Sequence, residues 1–496
     1  MYDIGIDLGT SSVKLLLVSD EGKTVNTVSR SYPLEFPHPG WSQQDPLKWW
    51  DAICDGIPEL IRDIDPAEVA GIGTAGQMHG LVALDADGNV LRPAILWNDG
   101  RTAEETDYLN NEIGKDFLLA HTGNIAFAGF TAPKILWMKK NEPELFAKID
   151  KIMLPKDYID YRLTGAFVTD YSDAAGMLLL DVENKCWSEE MLQICGIERR
   201  QMAELHESYD IVGKLLPEVA EKLGLSTDMT VVAGAGDNAA AAVGTGCLTE
   251  GQCNVSLGTS GTIFLPSEGF RHDPTGAVHA FNHAAGNYHL MGCMLSAASC
   301  LKWWVEDVCR SGDYNGLQEE AAGAENGDYG RLGENHVYFL PYLMGERAPH
   351  NDPFARGAFV GMSMDTGRAE MTLAVLEGVA FALRDMLESA RSLGITVDHS
   401  TLCGGGAKSD IWKTIIANVL KVRLDLPEEE QGPGLGGAML SAYARGVYGS
   451  LDEAAAAYIH MGGKVEPDEK LMAKYEEKYK VFRSIYPVLK PIYPGC

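Results

Sequence analysis

The tetrapeptide Leu-Gly-Thr-Ser occurs twice, at residues 8–11 and 257–260. Each copy sits between short apolar runs rich in β-formers: YDIGIDL and VKLLLVSD around the first, CNVS and GTIFLP around the second. Recurrence in the same strand–turn–strand setting predicts an internal duplication, each half opening on a β-hairpin. At 496 residues the chain exceeds what one hydrophobic core usually supports. Two domains are therefore expected, 1–246 and 247–496, with the join falling near 244–252.

The intervening sequence alternates helix and strand, which gives an α/β class. A third strand follows the first hairpin, and Asp45-Pro46 then supplies an N-cap and an N1 proline for a helix. Strands are expected at 69–75 and 80–91, helices at 131–141 and around 186–204. TVVAGAGD (230–237) returns to a strand, followed by an alanine-rich helix. Late in the chain come a long helix over 368–394 and a strand–glycine turn–helix over 395–420. From about 450 onward the pattern reads as helical surface.

A formal net charge of −29 argues against a nucleic-acid or anionic-membrane partner. It leaves room for a small anion, because a local nest of backbone N–H groups acts inside a field screened beyond about 10 Å. Ten cysteines are scattered without CxxC or zinc-ribbon spacing, as in a protein that keeps its thiols reduced. No signal-peptide pattern and no membrane-length apolar stretch is seen, so a cytoplasmic location is expected.

Which residues carry chemistry follows from the hairpins. A P-loop is missing: Gly22-Lys23-Thr24 has its end, but Leu17 stands where the first glycine belongs. Gly71, Gly73 and Gly76 form a GxGxxG, yet Gln77-Met78-His79-Gly80 and a β-like run follow rather than a helix. The two hairpins suit phosphate instead. Glycine turns N–H groups inward, and Thr10, Ser11, Ser12, Thr259 and Ser260 add hydroxyl donors. Asp7 leads the first loop and can hold Mg²⁺, through water, whereas Ser256 stands in its place in the second. Gly404-Gly405-Gly406-Ala407, between a strand and a helix, would let a purine and ribose lie against backbone. Asp237 closes an apolar strand and opens a helix, where α/β folds place ligands; a helix N-cap is the alternative reading.

In order along the chain, GIDLGTSSVK, AGQMHG, LRPAILWNDGR, GFTAPKILW, LLPKDY, GAGDNAAAAVG, SLGTSGT, MLSAASC, FLPYLMGERAPHNDP, AVLEGVAFAL and GGGAKSDIW resemble motifs of the xylulose kinases of the FGGY carbohydrate kinase family. The resemblance implies two ribonuclease-H-like, actin/hexokinase-type domains flanking a cleft. It implies ATP and Mg²⁺, transfer of the γ-phosphoryl to the 5-hydroxyl of D-xylulose, and a homodimer. By residue, it implies Asp237 as general base and Asp7 as the acid that handles magnesium. Met78 and His79 would contact the sugar, with Asp237 and Asn238 opposite them. Thr10, Ser11, Ser12 and Thr259 would contact phosphate, and Gly405, Gly406 and Asp410 the nucleotide. Relatives often carry Asn at position 410 and Gly at position 12.

The implied mechanism has the domains close on ketose and ATP, exclude water and align the hydroxyl with phosphorus. Three alternatives stand beside it. One is the same chemistry on L-xylulose, ribulose or gluconate, since one hydroxyl configuration is decided by pocket hydrogen bonds. Another is a non-catalytic sugar sensor, which would dispense with the acids at 7 and 237. The last is a chaperone-like ATPase, which would lack the GQMHG loop.

Overall fold

Residues Tyr2–Leu8 and Ser12–Ser19 bury nearly every side chain, as strands covered on both faces must. In this computed structural model, which describes residues 1–325 and 328–495, they form the hairpin at the heart of a mixed sheet. Tyr2–Leu8 runs antiparallel to Ser12–Ser19 and parallel to Val69–Gly76. Thr24–Ser31 forms one edge, and Thr230–Val232 and Ile211–Lys214 the other.

The second sheet repeats the plan. Gly251–Leu257 pairs antiparallel with Gly261–Ser267 and parallel with Val397–Cys403. Tyr288–Met294 and His279–Asn282 extend it on one side, Arg423–Pro427 and Met461–Val465 on the other. Two α/β domains with mixed sheets, built on equivalent hairpins, are thus present, as the duplicated tetrapeptide predicts.

Helices cover both faces of the first sheet and pack against the second. Pro46–Leu60, capped by the Asp45 side chain on the Leu47 N–H, buries Trp49, Trp50, Ile53 and Ile57 against the first sheet. Arg368–Ser392, buried along most of its length, and Asp410–Leu420 serve the second. The other face of the first sheet is covered by a helix from far along the chain, Pro433–Ala444. It can lie there because both surfaces are glycine. A Cβ on Gly5 would stand 1.9 Å from the Gly434 carbonyl oxygen, and one on Gly73 would stand 1.9 Å from that of Gly437. Just beyond the helix, Arg445 donates from Nε and Nη2 to the two carboxylate oxygens of buried Asp3, at 3.0 and 2.6 Å. All strands of the first sheet precede residue 237 and all strands of the second follow 250, but this helix crosses back.

Several expectations need correction. The segment 80–91 is a strand only over Val82–Leu84, because Asp85 caps a turn through the Asp87 and Asn89 N–H groups. The 186–204 region holds a helix only over Glu189–Cys195, ended by Gly196. The 230–237 strand breaks at Gly234, whose φ is +70° and whose Cα faces the Thr74 carbonyl too closely for any side chain. The tail is not merely surface. It contributes an edge strand, Met461–Val465, and a helix, Glu469–Leu489, that buries Tyr475, Tyr479 and Phe482. The nine described cysteines are free thiols, and Cys496 lies outside the described residues. Among the described residues no helix is long and apolar enough to cross a membrane.

Gly73→Ala should lower the thermal midpoint markedly, since it forces backbone apart at a site with no rotamer to yield, roughly the 1–3 kcal/mol or more of an overpacked core. Gly463→Ala, with only Leu426 Cδ1 at 3.9 Å, should leave the midpoint within error. Thermal unfolding of the two variants checks both.

Candidate active site

Both hairpin tips present free amides. At the first, carbonyls are drawn away by side chains: Tyr32 Oη and Gln77 Nε2 donate to Gly9 O at 2.5 and 3.4 Å, and Gln44 Nε2 to Thr10 O at 2.7 Å. The Thr10 and Ser11 N–H groups find no acceptor among the described residues. At the second tip, Ala298 N donates to Gly258 O at 2.8 Å, and Ala297 N and Ser299 Oγ to Thr259 O at 2.9 and 2.8 Å. The N–H groups of Gly258, Thr259 and Ser260 are likewise without acceptors among the described residues. Two loops with amides bared and carbonyls tied back are suited to phosphate oxygens.

Asp7 stands at the end of its strand, opposite Lys14 across the antiparallel ladder and beside Ala75 on the parallel one. Ala235 and Gly236 pair with Ala75 and Gly76, which brings Asp237 to the same end of the same sheet. Asp237 is the first residue of the helix Asp237–Val243, whose N-cap is Gly236, so the simple capping alternative does not apply. Its Oδ1 accepts from Asn238 N at 2.7 Å and from Asn238 Nδ2 at 3.1 Å, while Oδ2 has no partner among the described residues. Burial first, and then the Asp7 charge, raise the Asp237 pKa to about 7. Burial raises that of Asp7 to about 6 against the pull of Lys14, whose ammonium is held by the Gln431 carbonyl and side chain at 3.2 Å. Neither Asp7 oxygen accepts a hydrogen bond from a described residue. The Asp7 carboxylate, free to receive positive charge, is a donor that fits a hard divalent cation shared with phosphates.

Facing Asp237 are Met78 and His79. Asn238 Nδ2 lies 3.8 Å from the Met78 sulfur, and a Cβ on Gly236 would meet the same side chain. His79 adopts φ +69° and points Nδ1 at the Gly176 carbonyl, 2.7 Å away. Nδ1 therefore carries the proton and Nε2 is an acceptor. Burial, with the nearby Lys134 charge, lowers the ring's pKa to about 3, so it stays neutral. The turn is pinned from below: Lys134 Nζ donates to the carbonyls of His79 at 2.7 Å and Gly129 at 2.6 Å. Trp97 closes one side, its indole N–H donating to Thr10 Oγ1 at 2.9 Å.

Under this floor lies a buried charge cluster. Lys156 Nζ meets Asp157 at 2.7 Å, Asp170 at 3.0 Å and the Ala233 carbonyl at 3.0 Å. Desolvation alone would lower the Lys156 pKa, but the surrounding carboxylates outweigh it and drive it up. Asp170 then accepts from Ser172 Oγ at 2.5 Å, and Ser172 Oγ accepts from Gly236 N at 3.2 Å. A fixed chain of partners thus reaches the residue before Asp237.

The glycine turn lies elsewhere in the cleft. Gly258, Thr259, Gly405, Gly406, Ser409 and Trp412 help line a cavity of about 610 Å³, a size that suits a nucleoside. Asp410 is not part of that lining. Its side chain is 79% exposed and pairs with Lys413 at 2.7 Å, while its neighbour Ser409 caps the helix. Asp7 with the first hairpin tip, Asp237, Asn238 and Met78 are brought to one end of the first sheet, while the second hairpin tip lines the cavity with Gly405 and Gly406. Sequence reading missed Lys14, Trp97, Lys134 and Lys156. A lysine inside an apolar helical stretch, as in APKILW, was the available signal for the buried ones.

Residues 2–244 match the N-terminal domain, and residues 253–445 the C-terminal domain, of the FGGY family of carbohydrate kinases. The chain belongs to that family. It is 44% identical to the xylulose kinase of Escherichia coli strain K12 over 494 residues, 99% of this chain and 100% of that one. Among solved structures it resembles a xyloylose kinase from Brucella ovis, with TM-score 0.93, 40% identity and coverage of 99% and 100%. It resembles a gluconate kinase from Lactobacillus acidophilus with TM-score 0.94, 28% identity and coverage of 100% and 99%. The protein is a carbohydrate kinase with ATP as co-substrate.

If Asp237 acts as a base, activity should fall as it takes up a proton, since a base acts only when ionised. The acid limb of kcat/KM for the sugar should therefore lie near pH 7, far above the ordinary Asp range near 4. A pH profile of kcat/KM with a limb at or below pH 5 would contradict this.

Proposed function

We propose that the protein transfers the γ-phosphoryl of ATP to the 5-hydroxyl of D-xylulose, giving D-xylulose 5-phosphate and ADP. The observation that carries the chemistry is the convergence of Asp237 and Asp7 at one end of the first sheet, where the first hairpin tip bares its amides. The full-length likeness to the Escherichia coli xylulose kinase supports the choice of acceptor.

Met78, His79 and Asn238 surround the ketose in the first domain. Asn238 occupies Oδ1 of Asp237 and leaves Oδ2 for the sugar's O5–H. As the O5–P bond forms and the bond from phosphorus to the ADP oxygen breaks, the O5 proton passes to Asp237. A carboxylate raised towards neutrality accepts a proton more readily than one of ordinary pKa. Amides of Thr10, Ser11 and Thr259, with the hydroxyls of Thr10, Ser11 and Ser12, take the phosphate oxygens. Asp7 would hold Mg²⁺, through water, and the ion's charge would offset that of the γ-phosphoryl oxygens. Gly405 and Gly406 border the nucleoside, and closure of the domains excludes water.

Asp237→Asn should cut kcat by orders of magnitude and leave ATP affinity nearly unchanged. It should also raise the thermal midpoint. A carboxyl whose folded pKa exceeds its unfolded one destabilises the fold once ionised, so the gain should be larger at pH 8 than at pH 5. Coupled ADP-release assays over D-xylulose, D-ribulose, L-xylulose and gluconate test the acceptor. Equal or greater kcat/KM on another sugar would replace D-xylulose as substrate, and undiminished turnover in the variant would remove Asp237 as base.

A further inference from the structure

Arg347 belongs to the second domain but reaches the first. Its guanidinium lies 4.9 Å over the ring of Phe127. A Cβ on Gly129, whose carbonyl Lys134 holds, would stand 3.9 Å from an Arg347 Nη. Its positive charge helps depress the pKa of His79 and that of His279. It is half-buried, yet its guanidinium has no carboxylate and no hydrogen-bond acceptor among the described residues. Arg92, Arg101, Arg384 and Arg445, four other arginines drawn into this fold, each hold a carboxylate, and half-buried Arg162 donates to Tyr158 Oη at 2.7 Å. A partly desolvated guanidinium with five donors and no acceptor is a costly feature unless something else fills it.

Its mounting is rigid. The buried carboxylate of Glu346 accepts from the N–H of Arg347 at 2.7 Å and of Leu295 at 3.3 Å, and Ala348 N donates to Cys293 O at 3.0 Å. Cys293 and Leu295 lie just before Ala297, which binds the carbonyl of Thr259. The arm that carries Arg347 is thus anchored beside the second hairpin and ends at the sugar turn.

We propose that Arg347 is a substrate-contact residue that donates to the carbonyl end of the ketose, O1 and O2, and so selects ketoses over polyols. This rests on the reading of the site as a D-xylulose kinase. The direction follows from the packing. Asp7 and Asp237 share one end of the first sheet, where O5 must lie, whereas Arg347 lies over Phe127, whose ring packs on Phe130 beside His79. The sugar's far end therefore meets the guanidinium. A carbonyl oxygen there is a pure acceptor that a fixed cation favours, while a hydroxyl must spend an orientation to accept. Because the arginine comes from the second domain, the same contact joins the two domains across the sugar.

Steady-state kinetics of Arg347→Met and Arg347→Lys, on D-xylulose and on the C2-reduced pentitols xylitol and D-arabinitol, tests this. Pentitol binding is read as a competitive Ki where turnover is slow. Arg347→Met should raise KM for D-xylulose roughly 10- to 100-fold, as loss of a charged hydrogen bond does. The pentitol constants should change far less, so that preference for the ketose falls at least tenfold. KM for ATP and the thermal midpoint should hold, and Arg347→Lys should recover part of the preference. A D-xylulose KM within twofold of wild type, a loss shared equally by ketose and pentitols, or a loss confined to ATP would overturn the proposal. Should Arg347→Met fail to fold, the Lys variant decides on the same ratios. Failure of the wild-type protein to phosphorylate D-xylulose is a separate result that overturns the acceptor reading instead.

Discussion

Helix Pro433–Ala444 touches the first sheet backbone to backbone, and the cleft depends on that contact. Gly434 and Gly437 close on Gly5 and Gly73, while Gly436 closes on Ala240 of the helix that Asp237 opens. Strand, helix and the Asp237 helix are thereby locked at separations that no side chain could share. The N-terminal end of the same helix lies against Asp7: a Cβ on Gly434 would be 3.4 Å from the Asp7 Cβ. Unpaired N–H groups at a helix start favour negative charge nearby. The contact thus sets the position of Asp7 as well as closing the core.

Electrostatics at the centre is a balance of crowding and burial. Burial raises the pKa of both acids at one sheet end, the Asp7 charge adds to that of Asp237, and Lys14, the cation facing Asp7, is tied to Gln431. Lys156 below pairs with Asp157 and Asp170, and Asp170 holds the Gly236 backbone through Ser172. Lys156 and Lys14, the cations that support the site, are held by protein groups, and the carboxylates of Asp7 and Asp237 keep oxygens free for ligands. Buried ion clusters of this kind fix geometry more surely than they add stability.

Much of this was legible in sequence because it is local. Leu-Gly-Thr-Ser between β-rich runs gave both hairpins, and Asp45-Pro46 gave a capped helix start. The C-terminal strand position of Asp237 was also readable, since short apolar runs ending in Gly-Asp have one obvious place in an α/β sheet. What escaped reading is non-local. Nothing near residues 433–444 says that they cover a strand begun at residue 2, because glycine–glycine contact leaves no apolar period to detect. Lys134 and Lys156 look like ordinary helix lysines until their carbonyl and carboxylate partners are seen. Asp410 shows the converse: sequence position next to a glycine turn does not say which way a first-turn side chain points.

The order of synthesis gives the crossing helix a further meaning. A nascent chain can pair Tyr2–Leu8 with Ser12–Ser19 and Val69–Gly76 as soon as those residues emerge. One face of that sheet then stays uncovered, with Gly5 and Gly73 bare, until more than 350 further residues have been made. The strand that carries Asp7 is among the first parts of the protein translated, yet its lobe is among the last to be sealed.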